Sequence, residues 1–166
     1  MSTGDLRMLA ASVIGASLIA ATTQDLRVGS APPAISAASW LNAPTPITLA
    51  ALKGKVVLLD FWGLWCTRCR KEMPTLVEFH RTYAERGLVV VTIHTPEKAD
   101  LVRDYLKDHE IPLMVAIDTG DTAAAYGVDS FPTYVLVDRD GLVVSLPEHL
   151  PRPEAMKRLL EKRPAS

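Results

Sequence analysis

Cys66 and Cys69 are the only cysteines in the chain, and two residues separate them. An apolar run, 56–61, leads into the pair, and a helix-forming segment follows it. At a helix start, residues i and i+3 share a face and their Cα atoms fall within disulfide range. One sulfur can then attack a partner's disulfide while the other resolves the mixed intermediate. The pair therefore points to dithiol–disulfide exchange. Cys66 is read as the attacking thiol, because N–H groups and the dipole at a helix N-terminus favour a thiolate. Arg68 and Arg70 add positive charge beside it, and such a setting lowers a thiol from about 8.5 into the range of about 5–7.5. Cys69, one turn further in, is read as the resolving thiol.

Competing readings exist for the same pair. A buried structural disulfide would need no special neighbours. A soft metal such as Cu(I) or Zn would be under-coordinated by two thiolates, and no histidine lies within a few residues to complete the set. His80, His94, His109 and His149 are scattered and read as surface or satisfied side chains. Exchange chemistry is carried by the sulfurs alone, so neither cofactor nor metal is expected. A rival of another class is a redox-inert binding module, a metal carrier or adaptor, which would not need an intact attacking and resolving pair.

The neighbours sharpen the exchange reading. Asp60 ends an apolar run six residues before Cys66, where a carboxylate is costly to bury without a purpose. Its alternative is a structural one, capping the chain or pairing with a cation such as Lys55. Trp65 directly precedes Cys66 and reads as a shield for the sulfurs and an apolar contact surface, whereas Trp62 reads as core. Glu72 is a second acid in the same segment and reads as a solvated side chain. Pro74, five residues after Cys69, would kink the helix that carries both cysteines.

The remaining pattern shows what must position these residues. Residues 56–61, 88–94 and 112–117 are apolar runs of the kind found in strands covered on both faces. Helical segments are expected over 67–86, with Gly87 as the stop, and over 97–109, 119–126 and 154–162. Residues 133–137 and 142–146 read as strands joined by the turn Asp138-Arg139-Asp140-Gly141. Residues 48–55 read as a short strand or turn. Strands alternating with helices, then a hairpin and a last helix, give an α/β fold: a mixed central sheet with helices on both faces.

The segments WLNAPTPITLAALKGKVVLLDFW (40–62), CTRCRKEMPTL (66–76), GLVVVTIHTPE (87–97) and AYGVDSFPTYVLVDRDG (125–141) together resemble the thioredoxin superfamily. Within it they look most like the TlpA-like exported thiol–disulfide oxidoreductases, a branch that includes proteins of cytochrome c maturation. They are also similar to the thioredoxin-like domains of DipZ-type membrane proteins. The resemblance implies a thioredoxin-like fold with an inserted strand–helix unit. It implies that Asp60 accepts the Cys69 proton. The residues alone read Pro132 as an ordinary trans proline at a strand start; the resemblance instead places a cis-proline there, so that Pro132, Phe131 and Trp65 form a substrate-binding surface beside the sulfurs. Partners would be disulfide- or dithiol-containing proteins, with a membrane electron donor for re-reduction. Many TlpA-like proteins carry Asn where this chain has Asp60, which looks more like thioredoxin itself.

A formal net charge of −1 argues against a general attraction to nucleic acid or anionic membranes. The uncharged, Ala- and Ser-rich stretch 8–24 lies between a signal h-region and a spanning helix in length. Residues 1–24 are therefore read as a signal peptide or N-terminal membrane anchor. Residues 25–46, with Pro32, Pro33, Pro44 and Pro46, are read as a linker in which Trp40 packs back onto the domain. Residues 47–166 are read as the thioredoxin-like domain. The expected location is periplasmic or otherwise extracytoplasmic, with a possible inner-membrane tether.

Overall fold

The computed structural model describes residues 26–162. Six strands form one sheet: β1 (Ala37–Leu41), β2 (Val56–Trp62), β3 (Leu88–His94), β4 (Met114–Asp118), β5 (Thr133–Val137) and β6 (Val143–Ser145). Their order across the sheet is β1-β4-β3-β2-β5-β6. The β2–β3 and β3–β4 pairs are parallel; β1–β4, β2–β5 and β5–β6 are antiparallel. Among the described residues four α-helices accompany them: α1 (Thr67–Tyr83), α2 (Val102–Asp108), α3 (Asp121–Ala125) and α4 (Pro153–Glu161). This is the mixed α/β architecture read from the sequence, with β4 and α3 lying between α2 and β5.

Every residue of β2 is buried, as a strand with neighbours on both sides and cover on both faces requires. Its side chains alternate between two cores. Leu58 and Trp62 join Cys66, Cys69, Met73 and Leu76 of the α1 side. Leu59 and Phe61 join Val135 and Tyr126 on the other face. Asp60, in register between Leu58 and Trp62, therefore faces α1.

Pro74 lies inside α1, where its missing N–H leaves the carbonyl of Arg70 without the usual helical donor. The helix stops at Tyr83, earlier than expected, and the chain turns through 84–87 with Gly87 N–H donating to Ala84 O at 3.0 Å. Gly87 has φ +94°, and a Cβ there would stand 2.9 Å from the Arg139 guanidinium. That guanidinium donates to the carbonyls of Gly54, Arg86 and Leu160, tying the hairpin to the α1–β3 turn and to α4.

The stretch expected as a linker does more than join. Gly29 N–H donates to Val143 O and Val143 N–H to Ser30 O, at 2.7 and 2.9 Å, on the free edge of β6. Tyr126 then donates its hydroxyl to Pro33 O at 2.7 Å, and Ser36 N–H donates to Thr122 Oγ1 at 2.9 Å. The chain finally pairs as β1 with β4 at the opposite edge. Residues 29–41 thus touch both edges of the sheet, and Trp40 packs against the core away from α1. Residues 49–52, read as a short strand or turn, form a 3-10 helix. The leader 1–24 lies outside the described residues. Among the described residues, no helix is long and apolar enough to cross a membrane.

Candidate active site

Cys66 caps α1. Its backbone is extended, with φ −77° and ψ 102°, and its Sγ accepts the Cys69 N–H at 3.1 Å. A helix N-terminus leaves its first N–H groups without partners, and here a sulfur takes the place of the usual capping oxygen. Cys66 and Cys69 form a disulfide, with Cα atoms 5.3 Å apart. Cys66 is 6% exposed and Cys69 2%, so the outer cysteine is the more accessible of two buried residues.

On the α1-facing side of β2, the side that also buries both cysteines, lies Asp60, with the Glu72 carboxyl of α1 near enough to act on it. Asp60 is 1% exposed, and its Oδ1 has no hydrogen-bond partner among the described residues. No ion pair joins it to Lys55 or to any other described cation. Burial, with the charge of Glu72 a smaller contributor, pushes the Asp60 carboxyl from its ordinary 3.8 up to about 8. Tyr134 stands opposite Asp60 in the β2–β5 register and donates its hydroxyl to Glu72 Oε2. Burial, Asp60 and Glu72 together push the Tyr134 phenol up, which keeps it a donor.

Glu72 is thus a correction to the sequence reading: it is held at the site rather than solvated. Tyr134 bonds one of its oxygens, and Arg68 Nε donates to the other at 3.0 Å. The sequence carried a signal for this, since Glu72 follows Cys69 by three residues and shares its helix face. Tyr134 carried none, because its place beside Asp60 is set by pairing between strands distant in sequence.

Arg68 is half exposed, and its Nη2 lies 2.9 Å from His149 Nδ1 in the loop before α4. The same Nδ1 lies 2.7 Å from the Glu148 carbonyl, so the tautomer of the ring decides which of the two contacts is a hydrogen bond. The Glu72 carboxylate, paired with Nε, offsets part of the guanidinium charge at the helix start.

The apolar surface beside the sulfurs is assembled from two elements. Trp65 is 47% exposed, an unusual share for an indole, and its ring packs edge-on to Phe131 with centroids 5.5 Å apart. The Phe131–Pro132 peptide is cis. Trp62, expected as core, is fully buried. Among the described residues no group of three or more His, Cys, Asp or Glu side chains is placed to hold a metal ion.

The fold and the Cys66–Cys69 disulfide define a domain of the thioredoxin superfamily with an intact Cys-x-x-Cys pair. The family model for Redoxin matches residues 27–157, and the chain belongs to that family. A thiol-disulfide oxidoreductase ResA of Bacillus cereus is 40% identical over 99 residues, covering 59% of this chain and 57% of the relative. The chain thus spans little more than half the length of the curated relatives it matches first. The Protein DipZ of Mycobacterium bovis is 44% identical over 73 residues, 43% of this chain and 10% of the relative. Among solved structures, a putative thiol:disulfide interchange protein DsbE from Chlorobium tepidum is 30% identical with a TM-score of 0.64, covering 82% of this chain and 96% of that one. These similarities bear out the TlpA-like and DipZ-like resemblance.

Proposed function

We propose that this protein reduces disulfides in partner proteins outside the cytoplasm, with Cys66 attacking and Cys69 resolving. The Cys69 N–H on Cys66 Sγ is the observation that carries the assignment, because that bond strengthens when the sulfur becomes a thiolate. The Cys66 thiolate attacks one sulfur of the partner disulfide, forming a mixed disulfide and releasing the partner's other sulfur as a thiolate. Asp60 takes the proton of Cys69. The Cys69 thiolate then attacks Cys66 Sγ, closing the intramolecular disulfide and releasing the partner's second thiolate. Two electrons pass to the partner, and a separate donor must return them.

An Asp60 pKa of about 8 lies near that of an ordinary thiol, which suits proton exchange with Cys69. A protonated Asp60 beside the closed disulfide is the state the resolving step leaves behind. Trp65, Phe131 and Pro132 form the apolar surface on which an extended partner segment would lie.

The reductive direction, a membrane electron donor, and apocytochrome c as one substrate rest on the TlpA-like resemblance. A metal-carrying or adaptor role gives no reason for a buried carboxyl with a raised pKa on the face that packs the cysteine pair. The test is turnover in both directions: reduction of insulin disulfides with dithiothreitol as donor, against oxidation of a reduced unfolded protein by the disulfide form. Faster reduction supports the proposal; oxidation as the only turnover reverses the direction.

A further inference from the structure

The loop 63–66 joins β2 to α1 and carries both Trp65 and Cys66. Its internal tie is the turn bond from Cys66 N–H to Gly63 O at 2.9 Å. Beside the ring contact of Trp65 with Phe131, its hydrogen-bonded tie to the rest of the fold is one side chain: Leu64 N–H donates to His94 Nε2 at 3.0 Å. Among the described residues no other side chain outside the loop and α1 hydrogen-bonds these four residues.

His94 is itself held rigidly. It ends β3, opposite Trp62 in the parallel register, and is fully buried. Its ring meets the Trp62 indole edge-on, with centroids 4.7 Å apart. Because Leu64 N–H can only donate, Nε2 is the acceptor, so Nδ1 carries the proton and donates it to Thr95 O at 2.5 Å. Both nitrogens are thereby used, and the ring is neutral. Burial, which outweighs the opposing effects of the Thr95 carbonyl and Glu97, holds the ring below its ordinary value and favours the same neutral form. The loop is also close-packed here, since a Cβ on Gly63 would lie 3.1 Å from both Thr95 Cγ2 and the Trp65 indole.

We propose that His94 is a positioning residue for the exchange reaction: its Nε2 fixes the Leu64 amide, and so holds Trp65 and the capping Cys66 against the N-terminus of α1. A thiolate gains from a helix N-terminus only within the first turn, so a loosened loop gives up part of that gain. His94 acts through Leu64 and does not touch the sulfurs or the partner.

Two polar substitutions separate the ring's two bonds. His94→Gln reaches as far as Nε2 and keeps an acceptor for Leu64. His94→Asn reaches only as far as Nδ1, keeping the Thr95 bond and losing the Leu64 bond. The readouts are the alkylation rate of Cys66 in the reduced protein across pH, the rate of exchange with glutathione disulfide, and thermal melting. His94→Asn is expected to raise the Cys66 titration midpoint and to slow alkylation near neutral pH about tenfold, the effect of one pKa unit. His94→Gln is expected to stay within about threefold of wild type. Wild-type thiol rates in His94→Asn, even with a lower melting temperature, would make His94 merely structural and overturn the proposal. Equal losses in both variants would also overturn it.

Should His94→Asn fail to fold, hydrogen exchange at the Leu64 amide decides. Protection in both redox states is expected; exchange at the open-chain rate overturns the proposal. The inference rests on the exchange chemistry proposed above, and wild type in the same assay keeps the two apart. An inert wild-type dithiol removes the chemistry, whereas an active one with an unaffected His94→Asn removes only the role of His94.

Discussion

Glu72 makes the buried Asp60 harder to ionise, although the two sit on different elements and are joined by no hydrogen bond between them. Tyr134 mediates the approach: it faces Asp60 across the β2–β5 register and donates to Glu72. The two acids therefore act on one another across the α1–β2 packing, and the inner one is kept protonated at neutral pH.

The cost of charging Asp60 has a sign that stability can report. Its folded pKa, about 8, lies above its ordinary 3.8, so the folded protein keeps a proton that the unfolded chain releases in between. The stability tied to that proton is full below about 4 and is lost as pH rises to about 8. At roughly 1.4 kcal/mol per pKa unit, the loss is on the order of a few kcal/mol. Asp60→Asn mimics the protonated acid. Denaturant melts of the oxidised protein should show the variant more stable than wild type at pH 8 and no more stable at pH 4, with slower turnover. Equal midpoints at both pH values would mean that Asp60 is not charged at a cost.

Glu72→Gln removes the second charge and leaves an acceptor for Tyr134. Asp60 should then ionise at lower pH. The rate of resolving a preformed mixed disulfide on Cys66, followed by stopped flow, should keep its shape against pH and move its midpoint down. An unmoved midpoint would separate Glu72 from the proton path.

Arg68 stands between the two cysteines at the second position of α1, where proline is tolerated. Arg68→Pro removes a cation that favours the thiolate, so Cys66 should titrate higher and the couple should become more reducing. Because the Glu72 carboxylate already pairs with the guanidinium, the change should be less than about one pKa unit, or about 30 mV for a two-electron couple. Equilibration against glutathione measures it. A shift towards a more oxidising value would contradict the charge argument.

The uncharged stretch 8–24 leads to an expectation about location. Alkaline phosphatase fused behind the domain should be active in cells. An inactive fusion of normal abundance would favour a cytoplasmic protein.

The sequence made the central parts legible for local reasons. An unbroken apolar run marks a doubly covered strand such as β2, and Cys66 to Pro74 lie on one continuous helix whose spacing can be counted. The strand β1 was hidden, because 26–46 shows no periodicity. It is held by bonds such as Tyr126 to Pro33 O, between residues far apart in the chain. His94 and Tyr134 were illegible as site residues for the same reason. Each gains its place from a neighbouring strand, and neither carries a motif. Glu72 was legible and misread: its spacing from Cys69 was visible, but a charged residue on a helix is solvated more often than it is held.

Selective alkylation of the reduced protein tests the assignment of the two thiols most directly. Limiting iodoacetamide is added at a series of pH values below 7, and the modified cysteine is located by peptide mass. Cys66 caps the helix and receives the Cys69 N–H, so it should be modified well before Cys69 at every pH, with a midpoint below the ordinary thiol value of about 8.5. Modification of Cys69 first, or of both at equal rates with an ordinary midpoint, would contradict Cys66 as the attacking sulfur.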